Sequence, residues 1–351
     1  MNAPRLSICI ATLNRAAFIG ATLDSLIAQA GNDVEIIVVD GASTDNTEQV
    51  VRERGGRFPH LRYERLPQKG GVDQDYCKAV ALAGGEYCWL MSDDDLLRPG
   101  AIPAILDATR ASYSLILVNA EVRADHLTTL VVPRLLPFTA NRVYGPQDRN
   151  QFLAETATYM SFIGGIVVRR SLWEEREKEK FFGTEFIHIG VIFQKPLPDD
   201  TLVMAEPWIT IRHGQASWSR RYFEIWMLKW PNLIWSLPDF TDEVKSRVCV
   251  KEPWRRPKIL LVLRAKSAYA LPHYTQFVEP RLTRRSEKWL AWLIAALPGA
   301  LVNLAVYAYF AAFRRHELYG LREYRDSPFF YTNVLRALWQ KLTLRFRRAS
   351  P

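Results

Sequence analysis

The chain has 351 residues, 46 Lys plus Arg against 37 Asp plus Glu, and 48% hydrophobic residues, with 18 Gly, 20 Pro and 4 Cys. These proportions exclude a disordered chain, a collagen and a disulfide-stapled miniprotein, and the length buries enough core for roughly two domains. The net charge of +9 sits in the last fifth: residues 281–351 hold 13 Lys/Arg against 4 Asp/Glu, while the first 280 residues balance. That asymmetry argues for a neutral body with a cationic tail and against a nucleic-acid binder.

Along the chain, Leu6 to Ala11 reads as a strand, and the next segment sets Phe18, Leu23, Leu26 and Ile27 on one helical stripe. Glu35 to Val39 is nearly continuous apolar sequence before Asp40, the pattern of a strand buried on both faces. A capping cluster, GASTDNT, follows. Leu61 to Leu66 reads as a third strand, Gln74 to Ala83 as a helix stopped by Gly84-Gly85, and Tyr87 to Met91 as a fourth strand. Strand, loop and helix in repetition predict an α/β fold with a mostly parallel sheet and helices on its faces.

Ligands of such sheets sit beyond the carboxyl ends of the strands. Those ends carry Thr12, Asn14 and Arg15, then Asp40, then Ser92-Asp93-Asp94-Asp95. Neither Gly-x-Gly-x-x-Gly nor Gly-x-x-x-x-Gly-Lys-Ser/Thr occurs, so dinucleotide and P-loop chemistry fit poorly. Three consecutive aspartates raise one another's pKa and call for a compensating cation. A hard divalent ion, Mg²⁺ or Mn²⁺, shared between carboxylates and substrate phosphates meets that need; a solvated acidic turn before the helix near Pro99-Gly100 is the plainer reading. Cys9, Cys77, Cys88 and Cys249 have no metal-ligand spacing and read as reduced and without catalytic role.

The uncharged stretch Trp289 to Phe313 is long enough to span a bilayer, but Pro298-Gly299 splits it into pieces too short to cross alone. Both flanks are basic. The expectation is a re-entrant or interfacial helical hairpin on an anionic membrane surface, with a kinked single span and a buried soluble pair as alternatives. Leu335 to Arg348 mixes Leu, Trp and Phe with Arg and Lys, as surface-bound amphipathic helices do. The opening MNAPRLSICIATLNR shows no secretory pattern, so the body is expected at the cytoplasmic face of the inner membrane, peripheral or re-entrant.

LSICIATLNR, VEIIVVDGASTDNT and GEYCWLMSDDDLLRPG, in that order and spacing, resemble the three nucleotide-sugar-binding motifs of the family-2 glycosyltransferases. GGVDQDYCKAV, WLMSDDD and RHGQASWSRRYFEIW further resemble O-antigen sugar transferases of the abequosyltransferase type. The resemblance implies the GT-A fold, expected over residues 1–218; a helical extension over 219–280 and the membrane-associating tail, already read from its charge and apolar stretch, over 281–351 complete the expected organisation. It implies that Thr12, Asn14, Arg15, Asp40, Asp73 and Asp93 bind a nucleotide-sugar donor, and that Arg212 contacts its diphosphate. Asp93, Asp94 and Asp95 would bind the metal, either as Asp94-Asp95 or as Asp93-x-Asp95, with His213 as a further ligand. Arg212 to Trp218 would close over the diphosphate, and Arg220 and Arg221 would reach acceptor phosphates or lipid headgroups.

The family's acidic pair for the general base is missing here, where the sequence reads FFGTEFIHIGVIF. Glu185 and His188 are the candidates, three apart and so on one face if the segment is helical. The implied activity is inverting, metal-dependent transfer of one sugar to a lipid-linked, polyprenyl-diphosphate oligosaccharide in bacterial surface-polysaccharide synthesis. Transfer to a protein or soluble glycan, or a non-catalytic nucleotide-sugar-binding membrane scaffold, would use the same residues.

Overall fold

A computed structural model describes residues 3–124, 126–214, 221–313 and 318–336. The apolar runs form β1 (Leu6–Thr12), β2 (Val34–Asp40) and β4 (Tyr87–Met91), whose side chains are buried almost throughout; β3 (Leu61–Arg65), more polar, lies at the sheet edge. These four strands are mutually parallel. α1 (Ala16–Ile27) buries Ile19, Leu23 and Leu26, much as its stripe predicts. α2 (Thr47–Gly55) follows β2, and α3 (Val72–Leu82) begins two residues before the expected start and packs on β1 and β2.

The chain continues through β5 (Leu96–Leu97), α4 (Ala101–Ala108), β6 (Leu115–Ala124), β7 (Thr129–Val132), β8 (Arg142–Tyr144) and α5 (Arg149–Met160). It then forms β9 (Ile166–Arg169), α6 (Arg170–Glu174), α7 (Ile187–Phe193) and β10 (Thr201–Arg212). One sheet results, in the order β3-β2-β1-β4-β9-β6-β10-β5, with β7 beside β6 and β8 beside β10. β9 runs antiparallel to both β4 and β6, joining the four-stranded parallel half to the parallel pair β6–β10. The expected α/β sheet with flanking helices is therefore present. Its carboxyl-terminal edge gathers the ends of β1, β2 and β4, with Arg212 ending β10. Cys9 and Cys88 are buried, and all four cysteines are free thiols.

The chain divides into two units: Met1–Ala216 with Asn232–Cys249, and Ser217–Pro231 with Val250–Pro351. In the second unit Phe223, Trp254, Leu260, Tyr269 and Val278 share a core with Leu282, Ala291 and Ile294. The helices Arg285–Ala296 and Gly299–Phe313 are bent by 93° at the Pro298 break. Proline disfavours helical backbone at the residue before it, and Leu297 is extended there, with ψ 145. Arg264 donates to the freed Leu297 carbonyl from Nε at 2.9 Å and Nη2 at 2.6 Å. Buried Asn303 donates from Nδ2 to the carbonyls of Ala265 and Tyr324, each at 3.0 Å. The Phe329 ring lies where a side chain on Gly299 would stand, so glycine is required at that contact.

Among the described residues no single helix is long and apolar enough to cross a membrane. The bent pair leaves Trp289 61%, Trp292 45% and Phe313 74% exposed, along with Leu301, Leu304 and Tyr309. Beyond Arg336, the expected amphipathic segment Leu335 to Arg348 lies outside the described residues.

Candidate active site

The parallel register sets Thr12 beside Asp40, and the Gly41 N–H donates to the Thr12 carbonyl at 2.9 Å. Asn14 follows in the left-handed region, φ 55, a conformation asparagine tolerates better than most residues. Its Oδ1 accepts the Thr44 N–H at 2.7 Å and its own N–H donates to Ser43 Oγ at 2.8 Å, so the loops after β1 and β2 are tied together. Asn14 thus braces the loop by bonds within the protein.

Asp40 is fully buried. Its Oδ1 accepts the Ser43 N–H at 2.7 Å and its Oδ2 the Tyr63 hydroxyl at 2.7 Å. Burial, then that bond to Asp40, pushes the Tyr63 hydroxyl well above its ordinary pKa. Tyr63 and the Ser43 N–H are partners that sequence reasoning missed: Tyr63 reaches across from β3, two positions from the Arg65 that pairs with Asp40, and Ser43 lies in the turn just after it.

The three aspartates stand in the turn after β4. Arg15 Nε donates to Asp93 Oδ1 at 3.2 Å and its Nη2 to Asp94 Oδ2. The Arg15 guanidinium also lies over the Phe18 ring, 4.5 Å from its centroid. Arg212 Nε donates to the Asp94 carbonyl at 2.7 Å, and its backbone N–H to Asp95 Oδ1 at 3.1 Å. The Ser92 hydroxyl donates to Asp95 Oδ2. Residues from three parts of the sequence, Arg15, the aspartate run and Arg212, therefore meet in one cluster.

That cluster retains an electrostatic cost. Burial pushes Asp93 up to about 6 against the pull of Arg15. Burial and then the Asp94 charge push Asp95 up to about 7, and burial also raises Asp94. Buried hard carboxylates with raised pKa values suit a divalent cation by charge and donor type. Among the described residues no three His, Cys, Asp or Glu side chains converge as a ready-made cage; Mg²⁺ needs only one or two carboxylates when substrate phosphates complete its shell.

Asp73, expected in the donor pocket, is bonded elsewhere. Its Oδ2 accepts the Glu185 N–H at 2.9 Å and its Oδ1 the Ile187 N–H at 3.1 Å. The carboxylate thereby supplies acceptors for the start of α7, where the first N–H groups lack partners of their own. Glu185 lies before the helix, at φ 70. The expectation that Glu185 and His188 share a helical face is corrected: α7 begins at Ile187 because Asp73 captures these two N–H groups.

His188 is 1% exposed, its Nε2 lies 2.7 Å from the Met160 carbonyl, and burial pushes its pKa down to about 4. It is a neutral core side chain with no face open to an acceptor. His213 follows β10, its N–H bonded to the Arg123 carbonyl at 2.8 Å. Residues 215–218 and Arg220 lie outside the described residues.

A sheet with this order, with charged residues gathered at its carboxyl edge, is a fold of the GT-A class. Residues 7–176 match the family model "Glycosyl transferase family 2". It is 25% identical over 203 residues to the abequosyltransferase RfbV of Salmonella typhimurium, covering 53% of this chain and 60% of that protein. It is 28% identical over 131 residues to the GalNAc(5)-diNAcBac-PP-undecaprenol beta-1,3-glucosyltransferase of Campylobacter jejuni, covering 35% of this chain and 40% of that protein. The chain thus spans less than two thirds of these relatives' length.

Among solved structures, S. aureus TarS 1-349 in complex with UDP shares the fold at TM-score 0.57 and 16% identity, covering 92% of this chain and 90% of that one. The mannosyltransferase PcManGT of Pyrobaculum calidifontis, in complex with GDP-Man and Mn²⁺, does so at TM-score 0.51 and 17% identity, covering 85% and 88%.

Proposed function

We propose that the protein transfers one sugar, with inversion, from a nucleotide-diphosphate donor to a hydroxyl of a polyprenyl-diphosphate-linked oligosaccharide. The observation that carries this reading is the cluster in which Arg15 bonds Asp93 and Asp94 while Arg212 bonds Asp94 and Asp95. Fixed guanidinium charges beside buried carboxylates suit a site for a group that is negative and bound with a cation.

In this reading Asp94, with Asp93 or Asp95, holds Mg²⁺ or Mn²⁺, which when bound supplies Lewis-acid stabilisation to the leaving diphosphate. Arg15 and Arg212 keep the aspartates in place and add positive charge where negative charge develops. Asp40, held by Tyr63 and Ser43, shapes the nucleoside end. Glu185 accepts the proton of the acceptor hydroxyl as its oxygen bonds the anomeric carbon. The bond from that carbon to the diphosphate oxygen breaks, and the electron pair leaves with the nucleoside diphosphate. His188 takes no part.

The lipid-linked acceptor is supported by the undecaprenol named in the Campylobacter relative, by the exposed apolar side chains of the bent helix pair, and by the +9 charge of residues 281–351. The same features support an interfacial position, peripheral or re-entrant, on an anionic cytoplasmic leaflet. The test is transfer from UDP-, CDP-, GDP- and dTDP-sugars, with and without Mn²⁺, by wild type and Asp94→Ala. Metal-stimulated transfer to a polyprenyl-diphosphate acceptor, lost in Asp94→Ala, supports the reading. Transfer only to a soluble glycan or protein overturns the acceptor, and nucleotide binding without turnover on any acceptor leaves a scaffold.

A further inference from the structure

Asp75 was not among the residues singled out in the sequence. An acidic residue in the first turn of a helix is ordinary there, since it complements the helix dipole. Its surroundings are not ordinary. Asp75 is 5% exposed, and no hydrogen-bond donor reaches its Oδ1. Its Oδ2 lies 2.9 Å from the point where a side-chain carbon would stand on Gly41, so the carboxylate lies against the chain directly after Asp40.

The two neighbouring carboxylates differ. Both oxygens of Asp40 are engaged, by Ser43 and Tyr63. Asp75 retains acceptor capacity that the protein does not fill. Burial, then the Asp40 charge, pushes its pKa up to about 6, with Lys69 opposing. A buried carboxylate lacking a donor costs the folded state. Such a cost at the carboxyl edge of a ligand-binding sheet calls for a group that arrives with the ligand.

We propose that Asp75 accepts a hydrogen bond from the nucleoside of the donor, from a base N–H or a ribose hydroxyl, and is a specificity-determining residue of the site. The proposal rests on the donor-binding reading above. A carboxylate repels the diphosphate, which falls to Arg15 and Arg212, so the nucleoside is the part of the ligand it can recognise. Gly41 serves this role by leaving room for Asp75; a methyl group there would displace the carboxylate.

The test uses the full chain and calorimetric binding of UDP, CDP, GDP and dTDP, with inorganic pyrophosphate as a probe of the diphosphate end alone. For the tightest-bound nucleotide, Asp75→Asn weakens binding at least 10-fold and leaves pyrophosphate binding within 2-fold. Because an uncompensated charge is removed, its melting temperature rises. Gly41→Ala weakens the same nucleotide while retaining the acid. Analogues blocked at the base N–H, or lacking the ribose 2′-hydroxyl, identify which group Asp75 reads: the one whose removal costs wild type its affinity and costs Asp75→Asn nothing further.

Unchanged nucleotide affinity in Asp75→Asn overturns the proposal. So does a lower melting temperature with equal loss of nucleotide and pyrophosphate, which would make Asp75 a structural residue. A wild-type chain that binds none of the four nucleotides overturns the donor-site reading as well, whereas wild-type binding with an unaffected variant removes this proposal alone.

Discussion

The Asp73 carboxylate holds the backbone of Glu185 across 112 residues of sequence, accepting its N–H and that of Ile187. Glu185 is at φ 70, in a region that costs a non-glycine residue about 1 kcal/mol or more. Asp73→Ala leaves one buried and one partly buried N–H group without this acceptor and lowers stability by about 2 kcal/mol in chemical unfolding. With Glu185 as base, Asp73→Asn lowers kcat at least 10-fold and leaves donor affinity unchanged; equal losses of both would return Asp73 to the donor pocket.

Glu185→Gly and Glu185→Ala separate the side chain from the backbone. Both abolish transfer if the carboxylate takes the proton, but glycine is the more stable by about 1 kcal/mol, because it adopts the left-handed conformation without penalty. Urea midpoints of the two variants check the order.

Arg15 is the counter-charge of Asp93 and Asp94. Removing one partner of a buried pair leaves an uncompensated charge at a cost on the order of 3 kcal/mol. Arg15→Ala should therefore unfold at lower denaturant at pH 7, with Mg²⁺ recovering part of the loss. Arg15→Lys keeps the charge but not the two-pronged geometry, and falls between. An Arg15→Ala chain as stable as wild type would show that the pair contributes nothing.

The raised carboxyls set a pH dependence. Asp75 and Asp93 titrate at about 6 and Asp95 at about 7, against an ordinary 3.8. Between those limits these three carboxyls hold protons in the folded chain that they have released in the unfolded one, so their contribution to stability falls as pH rises. The loss from these three groups is complete near pH 8. Asp45, Glu121 and Glu155, whose pKa values are lowered, act only at more acid pH, whereas buried His188, pushed down to about 4, and His273, also lowered by burial, oppose the carboxyls up to the ordinary histidine value near 6.5. Mg²⁺ flattens the profile by compensating the aspartates. Thermal unfolding from pH 6.5 to 8, above the range of the buried histidines and across the Asp95 titration, with and without Mg²⁺, decides; stability that rises with pH there in metal-free buffer refutes the assignment.

Trp289 and Trp292 are exposed enough that truncation costs the fold little. The Trp289→Ala, Trp292→Ala double variant should bind vesicles of anionic phospholipid at least 10-fold more weakly than wild type, with nucleotide affinity unchanged. Equal vesicle binding by both proteins would place the contact elsewhere.

The parallel half of the sheet was legible because β1, β2 and β4 are buried on both faces and so are written as unbroken apolar runs. The other half was not. β10 carries Glu206 and Pro207 where its pairing with β6 shifts register, so it is not written as one unbroken apolar run. Asp93, Asp94 and Arg15 were legible as charges at strand ends. The capture of Glu185 by Asp73 and the placing of Asp75 against Gly41 depend on contacts between distant segments, which neither periodicity nor local capping encodes.

The elbow at Pro298 has a consequence for exchanging this region between proteins. Its angle is fixed by the Arg264 grip on Leu297 and by the Phe329 ring lying over Gly299. A graft that moved the two helices without Arg264 and Phe329 would carry the greasy surface but lose the hinge setting that aims it, so the transferable unit is the elbow with its two clasps.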